Sequence, residues 1–142
     1  MLSFEQLIGE HDAICAAANA FERSLNPAKP NVTAALASRA RLCTLLDEHL
    51  AHEDAQVYPQ LILATHERTA DIARRFSAEF STLVEEWTAY LAHWSAEAIA
   101  AEWHGFRDAT TTILGVLRKR IEAENALLYP TALGASVLTL RA

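Results

Sequence analysis

Apolar residues recur with a helical period in four long stretches of this chain. The first runs through Phe4, Leu7, Ile8, Ile14, Cys15, Ala18, Phe21 and Leu25, behind a Ser3/Gln6 pair with capping-box spacing. Asn26-Pro27-Ala28-Lys29-Pro30-Asn31 interrupts the pattern as a linker, and Asn31 is placed to cap a second helix. That helix carries Leu42, Leu46 and Val57 on one face, and Pro59 ends or kinks it. A third stripe comprises Ile72, Phe76, Phe80, Leu83, Trp87, Tyr90 and Trp94, after which Ser95 can cap a short turn through Trp103. The fourth places Phe106, Ile113, Leu117 and Leu128 inward. Helices over about 3–25, 32–58, 66–93 and 105–129, each about 35–40 Å long, predict an all-α, up-down-up-down four-helix bundle forming one domain over 1–142. Val137, Leu138 and Leu140 in the short tail Thr131–Ala142 are expected to pack on the bundle or to offer a homodimer contact.

Each stripe is broken by polar residues where the core should be. His11 lies in the first, His49 and Glu53 in the second, Glu79 in the third, and Arg120 and Glu124 in the fourth. A shift of 71 residues superposes Glu53 on Glu124, Asp54 on Asn125 and Tyr58-Pro59 on Tyr129-Pro130, and it also pairs Leu42, Leu45 and Leu46 with Ile113, Val116 and Leu117. The two-helix repeat brings Glu53 and Glu124 to equal depth. Burying such groups without partners costs several kcal/mol. His49 and Glu53, one turn apart, project from the same face. An imidazole beside a carboxylate suits iron or another first-row divalent ion, and the lack of thiolates disfavours a structural zinc site. A metal-free network of buried His–Glu hydrogen bonds is the alternative that these residues leave open.

Composition narrows the function classes. Four Gly and four Pro in 142 residues, with 51% hydrophobic content, favour helices around a substantial core. A net charge of −6 and no basic stripe beyond Arg118-Lys119-Arg120 argue against nucleic-acid binding. No apolar run is long enough to span a membrane and the start lacks a secretory pattern, so a cytoplasmic location without membrane attachment is expected. Cys15 and Cys43 stand apart and read as reduced core thiols.

Glu10-His11-Asp12, His49-x-x-His52-Glu53-Asp54-x-x-Val57-Tyr58-Pro59 and Glu124-Asn125-x-x-Leu128-Tyr129-Pro130 resemble the motifs of hemerythrin-like, or HHE cation-binding, domains. The resemblance runs from about Phe4 to Pro130. It implies non-haem iron inside the bundle, held by histidines from all four helices and by bridging carboxylates from helices two and four. By position, His11, His49, Glu53 and Glu124 match ligands. The family's helix-three histidine is missing, with Glu79 the best inward group there, and Arg120 stands where a histidine should precede the fourth-helix carboxylate. A guanidinium stays protonated and cannot ligate. A carboxylate-rich iron pair, a single ion, and an ion replaced by an Arg120 salt bridge all remain open. His52 reads as a flank residue, and His66, His93 and His104 lie near the bundle ends or the crossover.

The resemblance further implies binding or sensing of a small diatomic such as dioxygen or nitric oxide, or of redox state. Extra negative charge from Glu79 would favour ferric iron, which fits sensing or a slow oxidase or peroxidase-like activity better than reversible oxygen carriage. No nucleophile or general-base constellation names a reaction. Two rivals stand beside this expectation. One is a metal-free interaction bundle that has lost the site. The other is a ferritin-like di-iron oxidase, for which the inward Glu-x-x-His pairs are lacking.

Overall fold

The computed structural model describes residues 2–141, which form an all-α helical bundle. Met1 and Ala142, which the expected domain and tail include, lie outside the described residues. Four long helices build it: α1 (Phe4–Arg23), α2 (Val32–Gln56), α4 (Glu67–His93) and α6 (Trp103–Ala123). Short helices α3 (Tyr58–Ile62), α5 (Ala96–Ala101) and α7 (Tyr129–Gly134) occupy the connections and the end, and a π-helical turn (Glu124–Leu128) joins α6 to α7.

Local chemistry sets most of the boundaries. The Ser3 hydroxyl accepts from the Gln6 amide at 3.1 Å, but the Gln6 side chain reaches forward to Glu10 (3.3 Å) instead of closing a capping box. Asn31 caps α2 through the Ala34 amide (3.0 Å), and Ser95 caps α5 through that of Ala98 (3.2 Å). The two Tyr-Pro pairs do not end the helical path. Each Pro falls in the first turn of a new short helix, where a missing N–H leaves no bond unmade. The fourth long helix also starts earlier than its stripe predicts, because Trp103 is anchored by its indole N–H to the Asn26 carbonyl (2.8 Å).

Two apolar clusters fill the bundle, one above and one below the polar layer. The larger includes Ile14, Phe21, Leu42, Tyr90, Phe106 and Leu114; the smaller includes Leu7, Val57, Leu61, Phe76, Leu128 and Tyr129. Val137 and Leu138 of the tail are buried in the second cluster, whereas Leu140 is 63% exposed. Cys15 and Cys43 are half-buried and unbridged. No described helix is long and apolar enough to cross a membrane.

Candidate metal centre

His11 from α1, His49 and Glu53 from α2, and Glu124 from the π turn meet between the two clusters, all four buried. One ligand atom from each lies within 4.8 Å of every other. The two Nε2 atoms are 3.1 Å apart; His49 Nε2 is 2.5 Å from Glu53 Oε1, and His11 Nε2 is 3.0 Å from Glu124 Oε1. The opposite ring nitrogens are held from behind. His49 Nδ1 lies 2.8 Å from Glu10 Oε1, and His11 Nδ1 lies 2.6 Å from Asn125 Oδ1. With Nδ1–H donating outward in each ring, both Nε2 atoms face the centre, the arrangement in which imidazoles bind metals.

This donor set fits a cation. Two imidazole nitrogens and two carboxylates without thiolate match first-row metals such as iron. Glu53 Oε2 is buried and has no hydrogen-bond partner among the described residues, an orphaned acceptor of the kind that a metal would satisfy. In the metal-free chain a proton takes the place of that charge. Burial would lower the His49 pKa, but the surrounding carboxylates of Glu124, Glu53 and Glu10 outweigh it and push it up to about 10. Burial and the charge of Glu124 raise Glu53 to about 7. Burial acts the same way on Glu124, yet the adjoining His11 and His49 rings and the charge of Arg120 hold it well below the usual carboxylate range. At Glu10 as well, burial is outweighed by hydrogen bonds from His49, His52 and Gln6, and its pKa is lowered.

The other half of the centre holds a built-in cation. Arg120, 8% exposed, donates from Nε to Glu124 Oε2 (3.3 Å) and from Nη2 to the Tyr58 hydroxyl. Tyr58 in turn donates to Glu124 Oε2 (3.1 Å). The guanidinium carbon stands 5.0, 5.5 and 5.9 Å from the ring centres of Phe76, Phe80 and Tyr58. Arg120 is thus buried, and of the two carboxylates expected to pair with it, Glu79 and Glu124, it is Glu124 that accepts its hydrogen bond.

Glu79 is the exception among the expected site residues. It is 65% exposed, outside the cluster, and approaches Arg120 Nη1 only at 4.0 Å. Phe76, Phe80, Leu83 and Trp87 form the inward stripe of α4, with Glu79 at its edge, where turning outward avoids the cost of desolvation. Its negative charge is accordingly missing from the centre. His52 is partly exposed and pairs with Glu10 at 2.9 Å, a flank position as expected. His66 and His104 are exposed, and His93 packs edge-on against Trp94.

The sequence reading missed Tyr129, Tyr58, Glu10 and Asn125. Tyr129 is fully buried, and its hydroxyl oxygen lies 2.9 Å from His11 Nε2, 3.1 Å from His49 Nε2 and 3.3 Å from Glu53 Oε1. In an α-helix, residues five apart point about 140° away from each other. The π turn, closed by the Tyr129 N–H to the Glu124 carbonyl, returns Tyr129 to the side facing the centre. The 71-residue repeat held the signal: each carboxylate is followed five residues later by a tyrosine, and each tyrosine bonds the other copy's carboxylate.

A cavity of about 40 Å³ adjoins the centre. His11, His49, Glu124 and Arg120 border it, and Ile14, Leu46, Phe80, Leu83, Trp87 and Leu117 supply most of its apolar wall. No curated protein and no solved structure matches the chain. The family description that does match, Hemerythrin HHE cation binding domain, spans residues 2–132, nearly the whole length. The chain belongs to the hemerythrin HHE cation-binding domain family.

Proposed function

We propose that this protein holds one non-haem iron ion at His11, His49, Glu53 and Glu124 and binds or senses a small diatomic, dioxygen or nitric oxide, beside it. The convergence of two Nε2 atoms and two carboxylates in an otherwise apolar interior carries this reading. A single ion is favoured over a pair because Glu124 Oε2 is already taken by Arg120 and Tyr58, so only Oε1 faces the histidines. The guanidinium supplies the positive charge that a second metal would bring.

The adjoining cavity supports the choice of ligand. At about 40 Å³ it has room for a diatomic molecule, and most of its wall is apolar. Arg120 on its border, whose Nη1 has no hydrogen-bond partner among the described residues, is a donor to a ligand that gains negative charge there. Iron bound here would supply an open coordination position; the chain supplies a small, largely apolar chamber and a fixed cation.

Anaerobic loading with ferrous iron, followed by nitric oxide, tests this reading. The paramagnetic signature of a ferrous nitrosyl is expected, and Leu83→Trp, which fills the cavity, should retain iron while slowing or abolishing that signal. Iron that takes up no nitric oxide would overturn the diatomic reading. A chain that takes up no iron would leave the metal-free polar bundle as its function.

A further inference from the structure

We propose that Tyr129 is a fifth ligand, binding the iron as a phenolate together with His11, His49, Glu53 and Glu124; this rests on the iron-binding reading above. The two tyrosines of the repeat make the case by contrast. The Tyr58 oxygen accepts from a guanidinium and donates to a carboxylate, so both of its roles are filled within the protein. The Tyr129 oxygen instead lies within 3.3 Å of two inward-facing imidazole nitrogens and a carboxylate oxygen, each of them an atom able to ligate a metal. A cation at their common focus would satisfy all three and the phenol oxygen as well, and Glu53 Oε2, which lacks any partner among the described residues, lies on the same carboxylate.

Backbone geometry points the same way. The π turn that brings Tyr129 to this side spends a wider, less favourable turn directly between Glu124 and Tyr129, and such bulges concentrate at functional sites. The ring is fixed by its stack on His11, with centroids 5.0 Å apart and planes at 21°. The hydroxyl is therefore placed by packing on a ligand as well as by the chain.

On ligation of ferric iron the phenol O–H bond breaks, an oxygen–iron bond forms, and the proton leaves to the buffer. Charge is kept in balance. Glu53, Glu124 and Tyr129 as anions, facing Arg120 and a ferric ion, leave one net positive charge. A ferrous ion leaves the same charge when Tyr129 is neutral. With Tyr129 ionised, the phenolate offsets the third positive charge of a ferric ion inside this low-dielectric interior. Tyr129 in this way takes over the anionic role that Glu79, turned to solvent, does not fill.

The experiment loads the full chain with ferric ion delivered as its citrate chelate and records visible absorption and resonance Raman spectra. A phenolate-to-iron charge-transfer band is expected in the wild type, with Raman modes that shift when the tyrosines are ring-deuterated. Tyr129→Phe should lose the band while keeping helical circular dichroism and bound iron, and Tyr58→Phe should keep it. Iron bound by the wild type without the band, or a band surviving in Tyr129→Phe, overturns the phenolate assignment and leaves the iron-binding reading intact. No bound iron in the wild type overturns both.

Discussion

Replacing Arg120 by methionine probes the built-in cation directly. The substitution removes the charge that faces Glu124 Oε2 at 3.3 Å, the donor to Tyr58, and the stack on Phe76 and Phe80. Stranding the remaining member of a buried ion pair costs about 3–5 kcal/mol. Two effects offset part of this. Arg120 Nη1 is buried without a hydrogen-bond partner among the described residues, a penalty of about 1–3 kcal/mol that methionine relieves, and the thioether fills much of the same space. His11 and Tyr58 also continue to bond Glu124. The net loss expected for the metal-free protein is about 2 kcal/mol, a large share of a stability of about 5–15 kcal/mol. With a urea slope of about 1–3 kcal/mol per M, the unfolding midpoint should fall by about 1 M. The control is Glu124→Gln, which removes the charge that Arg120 neutralises. In that background Arg120→Met should cost less by about 1 kcal/mol or more, since contacting partners couple. An unchanged midpoint, or strictly additive losses, would refute the charge-replacement reasoning.

Three further outcomes follow from the same geometry. His49→Ala should lose most bound iron while retaining helical circular dichroism; full iron occupancy in that variant would remove His49 from the ligand set. Glu10→Gln, which weakens the acceptor behind His49 Nδ1, should lower iron affinity by about 10–100-fold, and an unchanged affinity in a competition titration would show that Glu10 does not tune the site. The metal-free protein should lose stability as pH rises. His49 and Glu53 both have folded-state pKa values raised, from 6.5 to about 10 and from 4.5 to about 7, so the folded chain binds the extra protons. Their stabilisation is complete below the unfolded values and is lost as pH climbs through about 7 for Glu53 and about 10 for His49. Urea midpoints at about pH 7 and about pH 9.5 should fall in that order, and iron, by replacing the proton, should flatten the trend. A midpoint that rises over this range would contradict the assigned proton positions.

Much of the centre was legible because it violates a simple pattern. His11, His49, Glu53 and Glu124 interrupt apolar stripes at helical spacing, and burial of each follows from its place on the stripe. Arg120 was legible for the same reason. Glu79 was not, because it borders the stripe, and periodicity alone does not say whether an edge carboxylate turns in or out. Desolvation decides, and here it favours solvent. Tyr129 was hidden by a rule that usually serves well. Proline after an apolar run reads as a helix stop, yet here Pro130 sits in the first turn of α7, and the π turn that re-aims the tyrosine leaves no mark in composition. The outward supports Glu10 and Asn125 lie beside expected ligands in sequence, but only the rotation of each helix shows them behind the imidazoles.

The spin state of the iron-loaded protein tests the centre of one metal and one arginine most directly. Iron should be counted per chain, and the ferric sample examined by electron paramagnetic resonance. One tightly held iron per chain with the signal of an isolated high-spin ferric ion is the expected result. Two irons per chain with a silent, magnetically coupled pair would contradict it, as would a chain that retains no iron at all.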